Sequence, residues 1–156
     1  MKRFTIVFTL LLVCAFAGTL LYVHASPDFT EPQALTAEQE DPDAPVWDMQ
    51  LEDLLCDLEE KGLIDRSTEG SIACEGISTD ARAVSGAEFY WWDVDNLEEG
   101  SDELEAYQSM QKDGNIDVWH TGYIMTLTHN GPFGVNLAGY TGDVSALEQA
   151  FQSFGH

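Results

Sequence analysis

Residues 4–23 contain no charged side chain, and Lys2 and Arg3 stand directly before them. A run of about 20 such residues is long enough to cross roughly 30 Å of hydrocarbon as a helix. Two cations ahead of it orient the N-terminus toward the cytoplasm. Everything after Ser26 is therefore expected on the far side of the membrane, and only that part is left to build a water-soluble fold. Val23-His24-Ala25 fits the small-x-small rule for signal cleavage, with Ala25 at the cut. The length of the run favours retention as a single-span anchor; cleavage after Ala25 would instead give a secreted protein. Cys14 lies in the run behind Leu12-Val13, where a lipoprotein signal wants small residues, and reads as a small hydrophobe of the span.

The exported part holds all 28 acidic residues but only four of the six Lys and Arg, so four minus 28 leaves a formal charge of −24. Nucleic acid and anionic lipid headgroups are bound through Lys and Arg, and a charge this negative repels both. No nucleic-acid partner is expected, and membrane contact is expected only through the N-terminal segment. Cationic ligands, metal ions and basic protein surfaces remain compatible. Solubility alone also accounts for the charge.

Composition divides the rest of the chain. Residues 26–45, SPDFTEPQALTAEQEDPDAP, are rich in Pro and acids, with Phe29 and Leu35 as the large apolar residues. Such a segment buries too little surface to offset its ordering entropy and reads as an extended, disordered spacer. Residues 46–156, roughly 110, suit one domain with one core.

Within that domain Trp47, Leu51, Leu54, Leu55, Leu58 and Leu63 recur at helical spacing with Gly62 near the stop, which predicts a helix over 47–61. Ser71 to Cys74 reads as a short strand, and Ala87 to Val94, AEFYWWDV, as a strong one. Ser101 caps a second helix reaching about Lys112, and Asp113-Gly114 turns. Strands follow over 116–119, 123–128 and 133–140, with Asn130-Gly131-Pro132 as a turn. Asp143 caps a last helix carrying Val144, Leu147, Ala150, Phe151 and Phe154 on one stripe. The order α-β-β-α-β-β-β-α, with hairpin signals between strands, predicts an α+β fold: a small antiparallel sheet with helices packed on one face.

Cys56 and Cys74 are the only cysteines beyond the leader, and exported space permits disulfides. Cys56 sits beside Leu55 on the first helix and Cys74 in the first strand, so both look buried. A bridge would close a loop of about 18 residues and contribute about 3 kcal/mol in the chain-entropy account. Two separately buried thiols fit the sequence equally well.

Enzyme signatures are sparse. The exported histidines are His120, His129 and His156, with no H-x-x-x-H, no C-x-x-C and no G-x-S-x-G. His120 and His129 fall on neighbouring predicted strands and could converge. The densest acidic loop, Asp93-Val94-Asp95-Asn96 followed by Glu98 and Glu99, sets oxygen ligands at alternate positions as calcium prefers, which makes Asp93, Asp95 and Glu98 the candidate metal ligands. It is not an EF-hand: Leu97 replaces a ligand and Leu104 the closing Glu. No cofactor is called for.

Phe89-Tyr90-Trp91-Trp92 is the most unusual run. On a strand, Tyr90 and Trp92 face one way while Phe89 and Trp91 face the other. If helices cover one face only, Trp91 or Trp92 lies on the open side as an aromatic platform beside the acidic loop, suited to a peptide, a sugar or a cation. These four are the candidate binding residues. The alternative is that both faces are packed in a small core.

The string GAEFYWWDVDNLEEGS, the later NGPFGVNL and the terminal GD-x-x-ALE-x-AF resemble a group of small exported proteins of unknown function from Gram-positive gut anaerobes, over residues 46–156. The resemblance implies an extracytoplasmic α+β domain behind a membrane segment, and no activity or site residue. The combined expectation is a membrane-tethered or secreted binding domain whose partner is a protein, a peptide or cell-wall glycan. A small extracellular hydrolase and a calcium-dependent adhesion module are the rival classes.

Overall fold

In the computed structural model, which describes residues 44–156, Leu51, Leu54, Leu55 and Leu58 form the buried stripe of helix α1 (Leu51–Glu60). Gln50 opens the helix with a capping box, its backbone N–H donating to Asp53 Oδ2 at 2.8 Å. At the other end Leu63 N–H donates to Leu58 O and Gly62 N–H to Glu59 O, the Schellman pattern that satisfies the last carbonyls.

The chain then builds β1 (Gly70–Ser71), β2 (Asp80–Val84) and β3 (Ala87–Trp91), crosses helix α2 (Asp102–Asp113), and adds β4 (Asn115–Asp117), β5 (Ile124–Thr126), β6 (Thr128–Asn130) and β7 (Phe133–Asn136) before helix α3 (Val144–Gln152). Ser101 Oγ caps α2 by accepting from Leu104 N–H, and Asp143 caps α3 by accepting from Ala146 N–H. Five strands form one antiparallel sheet in the order β1-β2-β3-β7-β6; β4 and β5 pair separately. The fold is α+β with a small antiparallel sheet.

Three strand assignments from sequence change. The strand β2 was not read from DARAV, because Asp, Ala and Arg carry little strand propensity. Its hairpin signal is Ser85-Gly86, both at positive φ (53° and 83°) as a two-residue type I′ turn requires. The segment 123–128 divides at Leu127, whose N–H donates to Gly114 O, so β5 and β6 belong to different sheets. The strand expected over 71–74 stops at Ser71, since Cys74 O instead accepts from Ile77 and Ser78 N–H in a turn.

The helices do not share one face. On one side of the sheet Phe89, Phe133 and Val135 meet the leucines of α1 and Leu147 and Phe151 of α3. On the other, Tyr90 and Trp92 meet Met110 of α2, Ile116 of β4, and Met125 and Leu127. Gly134 makes that second layer feasible: a Cβ there would stand 2.8 Å from Met110 Sδ and 3.2 Å from Trp92 Cζ3. The α2 stripe is weakly apolar, with Met110 as its one fully buried residue, so its amphipathic pattern carried no indication of which face it covers.

The proposed leader 1–25 lies outside the described residues, as does all but the end of the 26–45 spacer. That end already belongs to the fold: Ala44 is buried and Pro45 opens a 3₁₀ turn through Asp48. Among the described residues no helix is long and apolar enough to cross a membrane.

Candidate functional site

The aromatic run expected to form a platform is core. Phe89 and Trp92 have no exposed surface, and Tyr90 is buried. Trp92 Nε1 donates to Ile77 O at 2.7 Å, and its ring lies 5.8 Å from that of Tyr107. Burial pushes the Tyr90 phenol well above its ordinary range, and the neighbouring Glu88 carboxylate, accepting from its hydroxyl at 3.1 Å, adds to the shift. Only Trp91 retains partial exposure. Its Nε1 donates to Met49 O, and it lines a cleft of about 130 Å³ together with Leu51, Glu52, Asp80 and Arg82. The side left bare in the one-face arrangement is occupied by α2 and the β4–β5 pair, which cover Tyr90 and Trp92.

The cleft beside Trp91 is bordered by charges that satisfy one another. Arg66 donates to Glu52 and Glu69, while Arg82 pairs with Glu69 and Asp80. The Arg66 guanidinium holds the Glu52 carboxyl below the usual carboxylate range.

The candidate metal ligands do not gather. Both carboxylate oxygens of Asp93 accept from Asn96 Nδ2 at 3.0 Å, and Asp95 sits in a short 3₁₀ turn, Val94–Asn96. Among the described residues no three His, Cys, Asp or Glu side chains are placed to hold a metal ion.

Cys56 and Cys74 are both free thiols, and neither is fully buried. Cys56 is exposed on α1, with Sγ 3.4 Å from Arg66 Nη1. Cys74 packs against the Tyr90–Trp92 layer on the other side of the sheet from α1. The sheet therefore stands between the two sulfurs, which rules out both the bridge and the pair of buried thiols.

Exposed aromatic surface lies instead on the β4–β5 hairpin. Trp119 is 54% exposed, Tyr123 65% and Ile124 54%. The loop joining the strands is closed by its own hydrogen bonds: Val118 N–H to Tyr123 O at 2.9 Å, Gly122 N–H to Asp117 Oδ1 at 2.8 Å, and Thr121 Oγ to Val118 O at 2.7 Å. Within it Trp119 (φ 50°, ψ 32°) and His120 (φ 53°) are both left-handed, a conformation bulky side chains rarely adopt. The Trp119 indole N–H donates to Glu75 O at 2.9 Å and fixes the ring over the Glu75-Gly76 turn.

Beneath this ring a cleft of about 60 Å³ is lined by Gly76, Asp102, Glu105, Asp117, Trp119 and His120, among others, with no Lys or Arg. His120 Nε2 stands 3.7 Å from Asp102 Oδ1, beyond hydrogen-bond range, and both side chains are more than half exposed. His120 and His129 do not converge: His129 lies on β6 beside α3, where its carbonyl accepts from Gln152. Small-molecule sites typically occupy about 300–1,000 Å³, so both clefts are on the scale of a side-chain end.

No protein-family profile, curated protein or solved structure matches this chain.

The hairpin surface was missed from sequence because Trp119 reads as the end of a strand. The signal present was Asp117 followed five residues later by Gly122, a side-chain-to-backbone loop closure that ends the strand at Asp117.

Proposed function

We propose that this chain is an exported binding module, tethered by its N-terminal segment or released by cleavage after Ala25, and akin to the small exported proteins whose sequence strings it resembles. Its ligand-facing surface is the β4–β5 hairpin. The observation that carries the reading is Trp119. Two consecutive left-handed residues cost about 1–3 kcal/mol each, yet the indole they present remains more than half in water, held by its bond to Glu75. Strain that produces an exposed aromatic rather than a buried one is accounted for by contact with a partner.

The two halves of the proposal are tested separately. Protease added to cells stripped of their wall should digest the domain, and full resistance with an intact membrane would place it inside. For the surface, the full-length chain in neutral detergent micelles is titrated with soluble muropeptides and with basic peptides. Whatever binds should lose affinity when Trp119 or Tyr123 is replaced by Ala at unchanged unfolding temperature. Binding indifferent to both replacements would move the ligand surface elsewhere.

A further inference from the structure

Resting on the reading of the β4–β5 hairpin as the ligand surface, we infer that the cleft under Trp119 takes a cationic side chain, the guanidinium or ammonium group of a basic segment on a partner protein.

Shape sets the first limit. Gly76 has no side chain, and the position its Cβ would take lies 3.6 Å from Asp102 Oδ2 and 3.8 Å from Trp119 Cδ1. Indole and carboxylate thus border the same small void. About 60 Å³ suits the head of one side chain and is well below the roughly 300–1,000 Å³ of small-molecule sites.

Charge sets the second. Asp102, Glu105 and Asp117 line the cleft and no Lys or Arg does. One oxygen of Asp117 is committed to Gly122 N–H, and Glu103 nearby accepts from Gly76 N–H at 2.9 Å. The carboxylates of Asp102 and Glu105 make no such backbone contact. Elsewhere on the domain the basic side chains are already engaged: Lys61 with Asp57, Arg66 with Glu52 and Glu69, Arg82 with Glu69 and Asp80, Lys112 with Asp113. The only base lining the cleft is His120, whose Nε2 stands 3.7 Å from Asp102 Oδ1, and it leaves Glu105 unmatched; among the described residues no Lys or Arg is free to supply the permanent positive charge. A bare metal ion does not fit, since no three ligating side chains converge among the described residues.

Chemistry of the rim sets the third. A cation beside an indole gains from the ring's quadrupole, and Arg stacks on it as well. Tyr123 and Ile124 extend the apolar rim along β5. A peptide carries the charge together with flanking apolar groups for that rim, which a free small cation does not. The net charge of −22 draws such a segment in from a distance.

The test uses the full-length chain in neutral detergent micelles and calorimetric titration with an acetylated, amidated octapeptide alternating Arg and Gly. The matched probe replaces each Arg by citrulline, which keeps the shape and removes the charge. A tetramer of N-acetylglucosamine serves as the neutral glycan. The Arg peptide should bind about tenfold more tightly than its citrulline twin and weaken about tenfold on Asp102→Asn or on Trp119→Ala. Glu105→Gln should act in the same direction, and Glu59→Gln on the outer face of α1 should change nothing. Equal binding of the Arg and citrulline peptides, no binding of either, or indifference to both Asp102→Asn and Glu105→Gln overturns the inference. If the glycan binds and only Trp119→Ala removes it, the hairpin remains the ligand surface and the cationic partner is wrong. If the Arg peptide binds equally well to the Trp119→Ala chain, the acidic surface at large is responsible and both readings fall.

Discussion

The indole N–H of Trp119 donates to the backbone carbonyl of Glu75 across 44 positions of sequence, at 2.9 Å. This bond joins the β4–β5 hairpin to the turn between β1 and β2. It also explains how a tryptophan stays in a left-handed conformation at the surface: the loop's internal bonds set the backbone, and Glu75 sets the ring.

A glycine at position 119 should therefore be tolerated better than an alanine. Left-handed backbone costs an L residue about 1–2 kcal/mol that glycine avoids, which offsets glycine's larger entropy loss of about 0.5–1 kcal/mol. In urea unfolding, Trp119→Gly is expected to be no less stable than Trp119→Ala, with both near the parent. A glycine variant weaker than the alanine variant by more than about 1 kcal/mol would mean the strain is not there.

Trp92 and Trp119 should behave as opposites under truncation. Trp92 has no exposed surface and fills the space beside Gly134 and Met110, so Trp92→Ala is expected to cost about 3–5 kcal/mol. Trp119→Ala leaves no core cavity and should cost under about 1 kcal/mol. Similar losses in denaturant midpoint for the two would contradict the burial assigned to them.

The thiols give a separate check on the sheet's two faces. Cys56 should react with a thiol reagent in the folded protein without prior reduction, and Cys74 more slowly. Cys56→Ser should shift stability by no more than about 0.5 kcal/mol. Reaction appearing only after a reductant is added would mean the two sulfurs are bonded after all.

Two groups predict how stability follows pH. The Tyr90 phenol is raised in the fold, so its contribution is complete below the unfolded value of 10.0 and is lost as pH rises beyond it. Tyr90→Phe should remove that alkaline loss, read by unfolding midpoints between about pH 9 and 11. Glu52 is depressed by Arg66, so its contribution is present above the unfolded value of 4.5 and is lost as pH falls below it. Parent and Glu52→Gln stabilities should therefore converge on acidification. A gap that holds steady through that range would deny the ion pair any role.

Local pattern carried the helices. Leu51, Leu54, Leu55 and Leu58, Gly62, Ser101 and Asp143 marked buried stripes and caps whose physics lies within a few residues of chain, and these elements stand near where the spacing put them. The strong strand at Ala87 was legible for the same reason, whereas DARAV was not, because its burial depends on partners and not on its own propensity.

Which face each residue met was decided only by the tertiary structure. Alternation along Phe89–Trp92 says that successive rings point to opposite sides, but whether a side is wet depends on where α2 and the β4–β5 pair dock. That docking turns on Gly134 leaving room for Trp92 and Met110. The same sheet separates Cys56 from Cys74, two residues that sequence spacing alone could equally have joined. Sequence by itself determined the charge of the chain, its caps and helical stripes, and its α+β class, since each follows from residue type and short-range period. The most exposed aromatic surface belongs to Trp119 and Tyr123 rather than to Trp91 and Trp92 because burial is a property of the packed layers: at the end of the central strand β3, Trp92 is covered completely and Trp91 in part.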